Sequence, residues 1–232
     1  KLDRPVATGP AYSPFSDINS EGWLITKYDA FERVVYTGWM FYESISPYKR
    51  KELQDQLNST TQPLFEAKTS SPNSINNIQV SYTNQAFPTD PFELLTVNYY
   101  DNYDYPNAPT PPSDIFGDNV VNKVKTLPTG TWTRFLTNEN ETAGELSYSY
   151  YDAKGRPIAN ITENHLGGFT STRTKLDFEG KVLYTKTEHS RDPNGHYVEL
   201  RDDFYYTPQG KMDTHLHQIN GGTQELIAYN GY

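Results

Sequence analysis

The chain has 232 residues and a formal net charge of −9, so it lacks the basic surface that nucleic acids and anionic membranes attract. It has no cysteine, which excludes disulfides, iron–sulfur clusters, zinc–thiolate sites and thiol nucleophiles, and no apolar run approaches the length of a membrane span. Rings supply the apolar content, 19 Tyr and 11 Phe against 2 Met, which suits half-buried pleated sheet and separates the chain from disordered sequences of similar mean hydropathy, −0.77.

In chain order, "KLDRPVATG" (Lys1–Gly9) places Arg4 after an acidic residue, and "YDAFERVVYTG" (Tyr28–Gly38) places Arg33 likewise, 29 residues on (33 − 4). Ser46-Pro47 then opens a helix over 48–58, with Ser46 as N-cap, Pro47 in the first position and Leu53 and Leu57 one turn apart. Residues 58–77, rich in Ser, Thr and Asn, read as loop. "INNIQVSYT" (75–83) and "PFELLTVNYY" (91–100) read as strands, and the prolines of "DYPNAPTPPSD" (104–114) imply an extended surface loop. "VVNKVKT" (120–126) and "GTWTRFL" (130–136) read as a strand pair turning at Leu127-Pro128-Thr129-Gly130.

After Gly144 the pattern becomes regular. Runs at 145–151, 156–163, 169–176, 181–190, 196–206, 211–219 and 223–230 alternate with Gly-containing signals such as Asp-Ala-Lys-Gly, Asp-Phe-Glu-Gly and Thr-Pro-Gln-Gly. Asp at the first position and Gly at the fourth are type I turn chemistry closing on a left-handed residue. This predicts a seven-strand antiparallel meander in which Asp152 caps its turn, Gly155 takes the left-handed conformation and Arg156 starts the returning strand. Arg156, Lys181 and Lys211 lie 25 and 30 residues apart (181 − 156 and 211 − 181), an internal repeat of one hairpin per unit. Glu32 and Asp3 occupy the glycine position of their units. Glu adopts a left-handed backbone less readily, so the turn at Glu32 is expected to differ in shape. Tyr232 falls near the next tyrosine of the series, 26 residues beyond Tyr206 (232 − 206).

The whole is an all-β chain of consecutive antiparallel hairpins with one short helix. It divides into repeat hairpins over 1–39, an insertion over 40–144 and the meander over 145–232. Both ends fall inside a repeat, so a piece of a longer repeat protein is expected.

Four groups of residues invite a chemical reading. His215 and His217 share a strand face, with His189 and His196 flanking the neighbouring hairpin. Imidazoles so placed would suit zinc or copper, but no ligand spacing completes the set, and a solvated strand face accounts for them. Asp101 with Asp104, and Asp202 with Asp203, are paired carboxylates. The first pair fits no Ca²⁺ loop, and the second should face opposite sides of a strand. Trp23, Trp39, Trp132 and the tyrosines would make a sugar-binding platform or, more simply, cover their own sheet. Asn58, Asn140 and Asn160 head glycosylation sequons. No phosphate loop, His-Glu-x-x-His or Gly-x-Ser-x-Gly is present, so no enzyme constellation and no cofactor is expected.

The recurring units "YDAFER", "YDAKGR", "LDFEGK", "YTPQGK" and the truncated "KLDRP" resemble the YD (Rhs) repeat family of bacteria. The resemblance implies a β-hairpin ribbon forming a shell or surface scaffold, secreted or at the cell surface. Its partners would be further repeats of a parent chain and an enclosed or presented C-terminal toxin or effector domain. It also implies architectural roles for Arg4, Tyr28, Asp29, Arg33, Tyr151, Asp152, Gly155, Arg156, Gly180, Lys181, Tyr206, Gly210 and Lys211, with the Arg/Lys stem packing on a neighbouring unit's tyrosine. An extracellular carbohydrate-binding or adhesion module is the alternative.

Overall fold

The computed structural model describes residues 4–42 and 46–231, so Asp3 and Tyr232 lie outside the described residues. In chain order the elements are β1 (Ala7–Tyr12), β2 (Glu21–Tyr28), β3 (Val34–Phe41), α1 (Pro47–Ser59), β4 (Lys68–Ile75), β5 (Ile78–Tyr82), β6 (Glu93–Asn102), β7 (Asp114–Ile115) and β8 (Asp118–Asn119). They continue with β9 (Lys123–Arg134), β10 (Gly144–Tyr151), β11 (Pro157–Glu163), β12 (Phe169–Leu176), β13 (Val182–Ser190), β14 (Val198–Tyr206), β15 (Met212–Ile219) and β16 (Glu225–Tyr229). The protein is all-β with one short helix, and its paired strands run antiparallel. It packs as two compact units. The first comprises the described residues up to Tyr99, then Asp104–Ala108 and Thr131–Gly144. The second comprises Tyr100–Tyr103, Pro109–Gly130 and everything from Glu145 on.

In the first unit β1, β2, β3 and β6 follow one another in hydrogen-bonded order. Alternation decides what is buried. Trp23, Ile25 and Lys27 of β2 stand on one face, opposite Met40, Gly38 and Tyr36 of β3. Leu94 and Val97 of β6 continue the core, and Tyr36 meets Tyr82 of β5 edge to face, with ring centroids 5.9 Å apart. Helix α1 starts as its sequence dictates, with the Ser46 hydroxyl accepting from Lys49 N and Pro47 in the first turn, and it buries Leu53. Each tryptophan of this unit lies over a glycine of the neighbouring strand, Trp23 over Gly9, Trp39 over Gly22 and Trp132 over Gly144. A Cβ on any of the three glycines would collide with the indole. The sheet core therefore uses these rings as the simpler sequence reading expects.

One buried ion pair fastens the segment after α1 to β2. The Lys27 ammonium lies 3.2 Å from Glu66 Oε1 and donates to Asn84 Oδ1 and to Ala86 O. Glu66 accepts from Thr83 Oγ1, Gln85 N and Ala86 N, so both charges are fully bonded although neither side chain is more than 1% exposed. Burial pulls the Lys27 ammonium below its ordinary value, and the adjacent carboxylate pulls it back up.

In the second unit β10 to β16 pair strictly in sequence order, the expected seven-strand meander. Its apolar core is small and lies at the start, where Leu146, Tyr150, Tyr151, Ile158 and Ala159 meet Tyr103, Ile115 and Val124. Farther along, the buried residues of β12–β14 are Ser171, Ser190 and Asp203.

Three local expectations are corrected. Within the stretch read as loop, Lys68–Ile75 is a strand, whose pairing with β5 is irregular between Lys68 and Asn73, and Pro72 sits inside that irregularity. "INNIQVSYT" is not one strand, since Asn76 and Asn77 both have positive φ (49° and 63°) and turn β4 into β5. Leu127-Pro128-Thr129-Gly130 does not turn at all, but lies within β9. Residues 104–113 are loop as the prolines require, yet Tyr105 is buried, stacked on Tyr99 with ring centroids 4.3 Å apart.

Removing one partner of a buried, fully bonded ion pair strands the other. Lys27→Ala should therefore cost about 3–5 kcal/mol, read as a fall in the urea midpoint, whereas Lys51→Ala, at an exposed helix pair with Asp55, should leave the midpoint unchanged.

Candidate functional site

The residues singled out by the repeat gather in the turns. At the β10–β11 turn Asp152 Oδ1 accepts from Lys154 N and Arg156 N, both at 2.9 Å, and Oδ2 takes the Arg156 fork through Nε (2.7 Å) and Nη2 (2.6 Å). Asp152 N donates to Arg156 O and Gly155 N to Asp152 O, with Gly155 at φ 75°. The β2–β3 turn repeats this bond for bond. Asp29 accepts from Phe31 N, Arg33 N and the Arg33 fork. Glu32 stands in the glycine position at φ 65°, so the expected difference in shape does not occur, and the Asp29 bonds hold a glutamate in a backbone region that favours glycine. Asp177 accepts from Gly180 N and Lys181 N, but Lys181 has no fork and turns to Glu179 instead. Thr207 and Asn164 head shorter-handed versions with Gly210 and Gly167 in the left-handed position.

Burial alone would raise the Asp152 carboxyl. The N–H groups of Arg156 and Lys154 and the guanidinium outweigh it and hold the group below its ordinary value. Asp177 is held low by the same kind of backbone bonds acting against its own desolvation.

The basic residue does not stack on a neighbouring tyrosine as expected for Arg156. Its Nη1 donates to Asp177 O (2.8 Å), and its stem runs past Gly180, the glycine of the next turn on that side. Lys181 likewise lies against Gly210, and Leu127 against Gly155. At Arg4 the ring contact does occur, with its guanidinium 4.4 Å from the Tyr28 centroid.

The tyrosine makes a different lock. Tyr28 Oη donates to Pro5 O, Tyr151 Oη to Pro128 O and Tyr206 Oη to Val182 O, at 2.6–2.7 Å and always 23 or 24 residues back. In each case the acceptor directly follows the residue in the basic position of an earlier turn. The same carbonyl is capped by Asn98 Nδ2 at Val34 and by Asn230 Nδ2 at Met212.

These two rules expose a unit that sequence reading misses. Asp101 Oδ1 accepts from Thr126 N (2.7 Å), as Asp177 accepts from Gly180 N, and Thr126 sits at φ 72°. Leu127 then occupies the basic position and Pro128 the capped one. Tyr100-Asp101 is thus the start of a repeat turn whose closing residue comes 25 positions later (126 − 101), with β7 and β8 inserted between.

The remaining candidates are dispersed. Asp202 Oδ1 meets both His215 Nε2 (2.7 Å) and His217 Nδ1 (2.9 Å), which hold its carboxyl low against burial, while Asp203 pairs with Arg201 through the other set of partners. His189 bonds Thr170 instead, and His196 is exposed. Among the described residues no group of three or more His, Asp and Glu side chains is placed to hold a metal ion. Asp104 is exposed. The chain matches no protein-family model, no curated protein and no solved structure.

Two outcomes follow. Tyr151→Phe and Tyr206→Phe should each lose about 0.5–1.5 kcal/mol in chemical denaturation, while Tyr205→Phe, whose ring is half exposed, should lose nothing measurable. A carboxyl whose folded value is depressed contributes stability above its unfolded value, near 4, and loses it as pH falls through the folded one. Asp152→Asn should therefore be less stable than wild type at neutral pH and lose less on acidification below about pH 4, measured by denaturation midpoints across that range.

Proposed function

We propose that this chain is a structural, non-catalytic segment of an Rhs/YD-repeat β-scaffold, a secreted or cell-surface wall that encloses or presents a C-terminal effector domain. The observation that carries this reading is the relay between turns. Leu127, Arg156 and Lys181 each rest on the next turn's glycine, and the carbonyls that follow Leu127 and Lys181 are capped by tyrosines of later strands. Contacts of that kind run only between neighbouring units and extend without limit as units are added, which is the logic of repeat architectures. The half-exposed polar strands β12–β15 further support a wall rather than a closed globule. Every turn carboxylate described above is engaged by its own turn's donors, an architectural use.

Intact-mass measurement and peptide mapping of the protein from its native source test the proposal. Further YD units and a distinct domain flanking Lys1 and Tyr232 are the expected result. A native protein that ends near these positions overturns it.

A further inference from the structure

The insertion that splits the Asp101–Thr126 turn does more than lengthen a loop. In the second unit it arches over the sheet face that carries Tyr148 and Tyr150, and a cleft of about 430 Å³ lies beneath it. The register explains the space. Tyr150, Ala159 and Arg173 are cross-strand neighbours in one row on β10, β11 and β12, and Tyr148, Ile161 and Ser171 form the next. The small Ala159 between a tyrosine and an arginine leaves a floor with two tall walls. Phe116 and Asp114 close the side belonging to the insertion.

The lining combines apolar ring surface with uncommitted polar groups. Tyr148 and Tyr150 stand at 62° with centroids 5.6 Å apart, so their rings present two differently tilted faces. Tyr150 is anchored by Tyr103, and Phe116 by Tyr184. The half-buried Tyr148 hydroxyl has no hydrogen-bond partner among the described residues. The Arg173 guanidinium has one carboxylate near it, Glu188 Oε2 at 3.3 Å, which leaves donors free. Asp114 supplies acceptor oxygens, bonded so far to Gly117 N and Ser113 Oγ. Beside Ile161, the buried Ser171 hydroxyl also lacks a partner. A volume of this size falls within the span of small-ligand sites, about 300–1,000 Å³, and ring surface with a few convergent polar groups is their usual lining.

We propose that this cleft binds a neutral saccharide, one pyranose ring against the tyrosines with its hydroxyls between Arg173, Tyr148 and Asp114. A sugar presents an apolar ring face and a rim of groups that both donate and accept, which matches aromatic walls flanked by a donor and an acceptor. The opposite charges of Arg173 and Asp114 cancel, and Glu188 beside the arginine disfavours an acidic sugar. The inference is independent of the scaffold reading, since a wall segment with or without an effector domain carries the same cleft.

Saturation-transfer NMR on the full chain tests it, with maltotriose, cellotriose, mannotriose and chitotriose as neutral probes at millimolar concentration and digalacturonate as the acidic one. The expected result is transfer to at least one neutral probe and none to digalacturonate, with affinity for that probe falling about tenfold or more in Arg173→Gln. Tyr148→Phe, which removes only a hydroxyl, should weaken it in the same direction and keeps the test open if the arginine variant fails to fold. Transfer to no neutral probe, transfer to digalacturonate alone, or affinity unchanged in the folded variants overturns the proposal.

Discussion

The interaction on which the hairpins depend is a carboxylate accepting from the backbone of its own turn. Asp29 and Asp152 each satisfy two N–H groups and hold a guanidinium fork, and the bonds close only if the fourth turn residue adopts positive φ. That requirement fixes where one strand ends and the next begins. Fixing the turn fixes the register, and a slip of one residue would send every side chain to the wrong face. The carboxylate therefore decides more than the few bonds it makes. It selects which face of β10 and β11 carries Tyr150 and Ala159, and hence what lies beneath the inserted hairpin.

The two units use this device against different backgrounds. In the first, the turns frame a conventional core of rings and aliphatics, locked by indoles over glycines and by the Lys27–Glu66 pair. In the second, β12 to β15 offer little apolar surface to bury. Ion pairs there are numerous, with Arg173 and Lys186 both reaching Glu188 and Lys186 also reaching Glu199, but at their exposure each contributes little. Hydroxyl pairs such as Thr172 with Thr187 and Ser147 with Thr162 line the other rows. With so little hydrophobic driving force, the order of these strands rests on the backbone ladder and on turns that leave the hairpins few alternatives. Glycine takes the left-handed position at Gly155, Gly180 and Gly210, while Glu32 takes it in the first unit and Thr126 at the split turn of the second.

What the sequence discloses follows the same division. Strands β10 to β16 are legible almost to the residue because each is bounded by turn chemistry that acts within five positions. Helix α1 is legible for the same reason, since Ser46 and Pro47 are local signals. The failures are non-local. Leu-Pro-Thr-Gly at 127–130 has the composition of a turn, yet Pro128 needs no N–H here and its carbonyl is claimed by Tyr151, so the strand runs through it. The Asp101 turn is invisible to any short window because its closing residue stands beyond a whole inserted hairpin. The arginine's partner is hidden from the sequence for a related reason. The sequence shows which residues recur, but only the stagger of successive hairpins shows that the basic stem meets a glycine while the tyrosine meets a carbonyl. A tyrosine recurring 23 or 24 residues after the position following Arg4 or Lys181 signals the lock at Tyr28 and Tyr206, whereas the lock at Tyr151 is hidden because Leu127 stands in the basic position.

The split turn also shows how such a scaffold can acquire a specific function. A turn whose geometry is set by one carboxylate and one left-handed residue does not depend on the chain between them, and Asp101 and Thr126 still meet at 2.7 Å with a hairpin interposed. Lengthening a loop costs little once its ends are fixed, because closure entropy grows only logarithmically with length. The interposed residues are then free to vary, and they are held at a definite place above a sheet face whose register the same turns have determined. In this chain that place is above Ala159, the one small residue in a row bounded by Tyr150 and Arg173. Insertions in the interval between a turn's carboxylate and its closing residue are therefore where chains built on this pattern should differ most in what they bind, while the strands themselves stay alike.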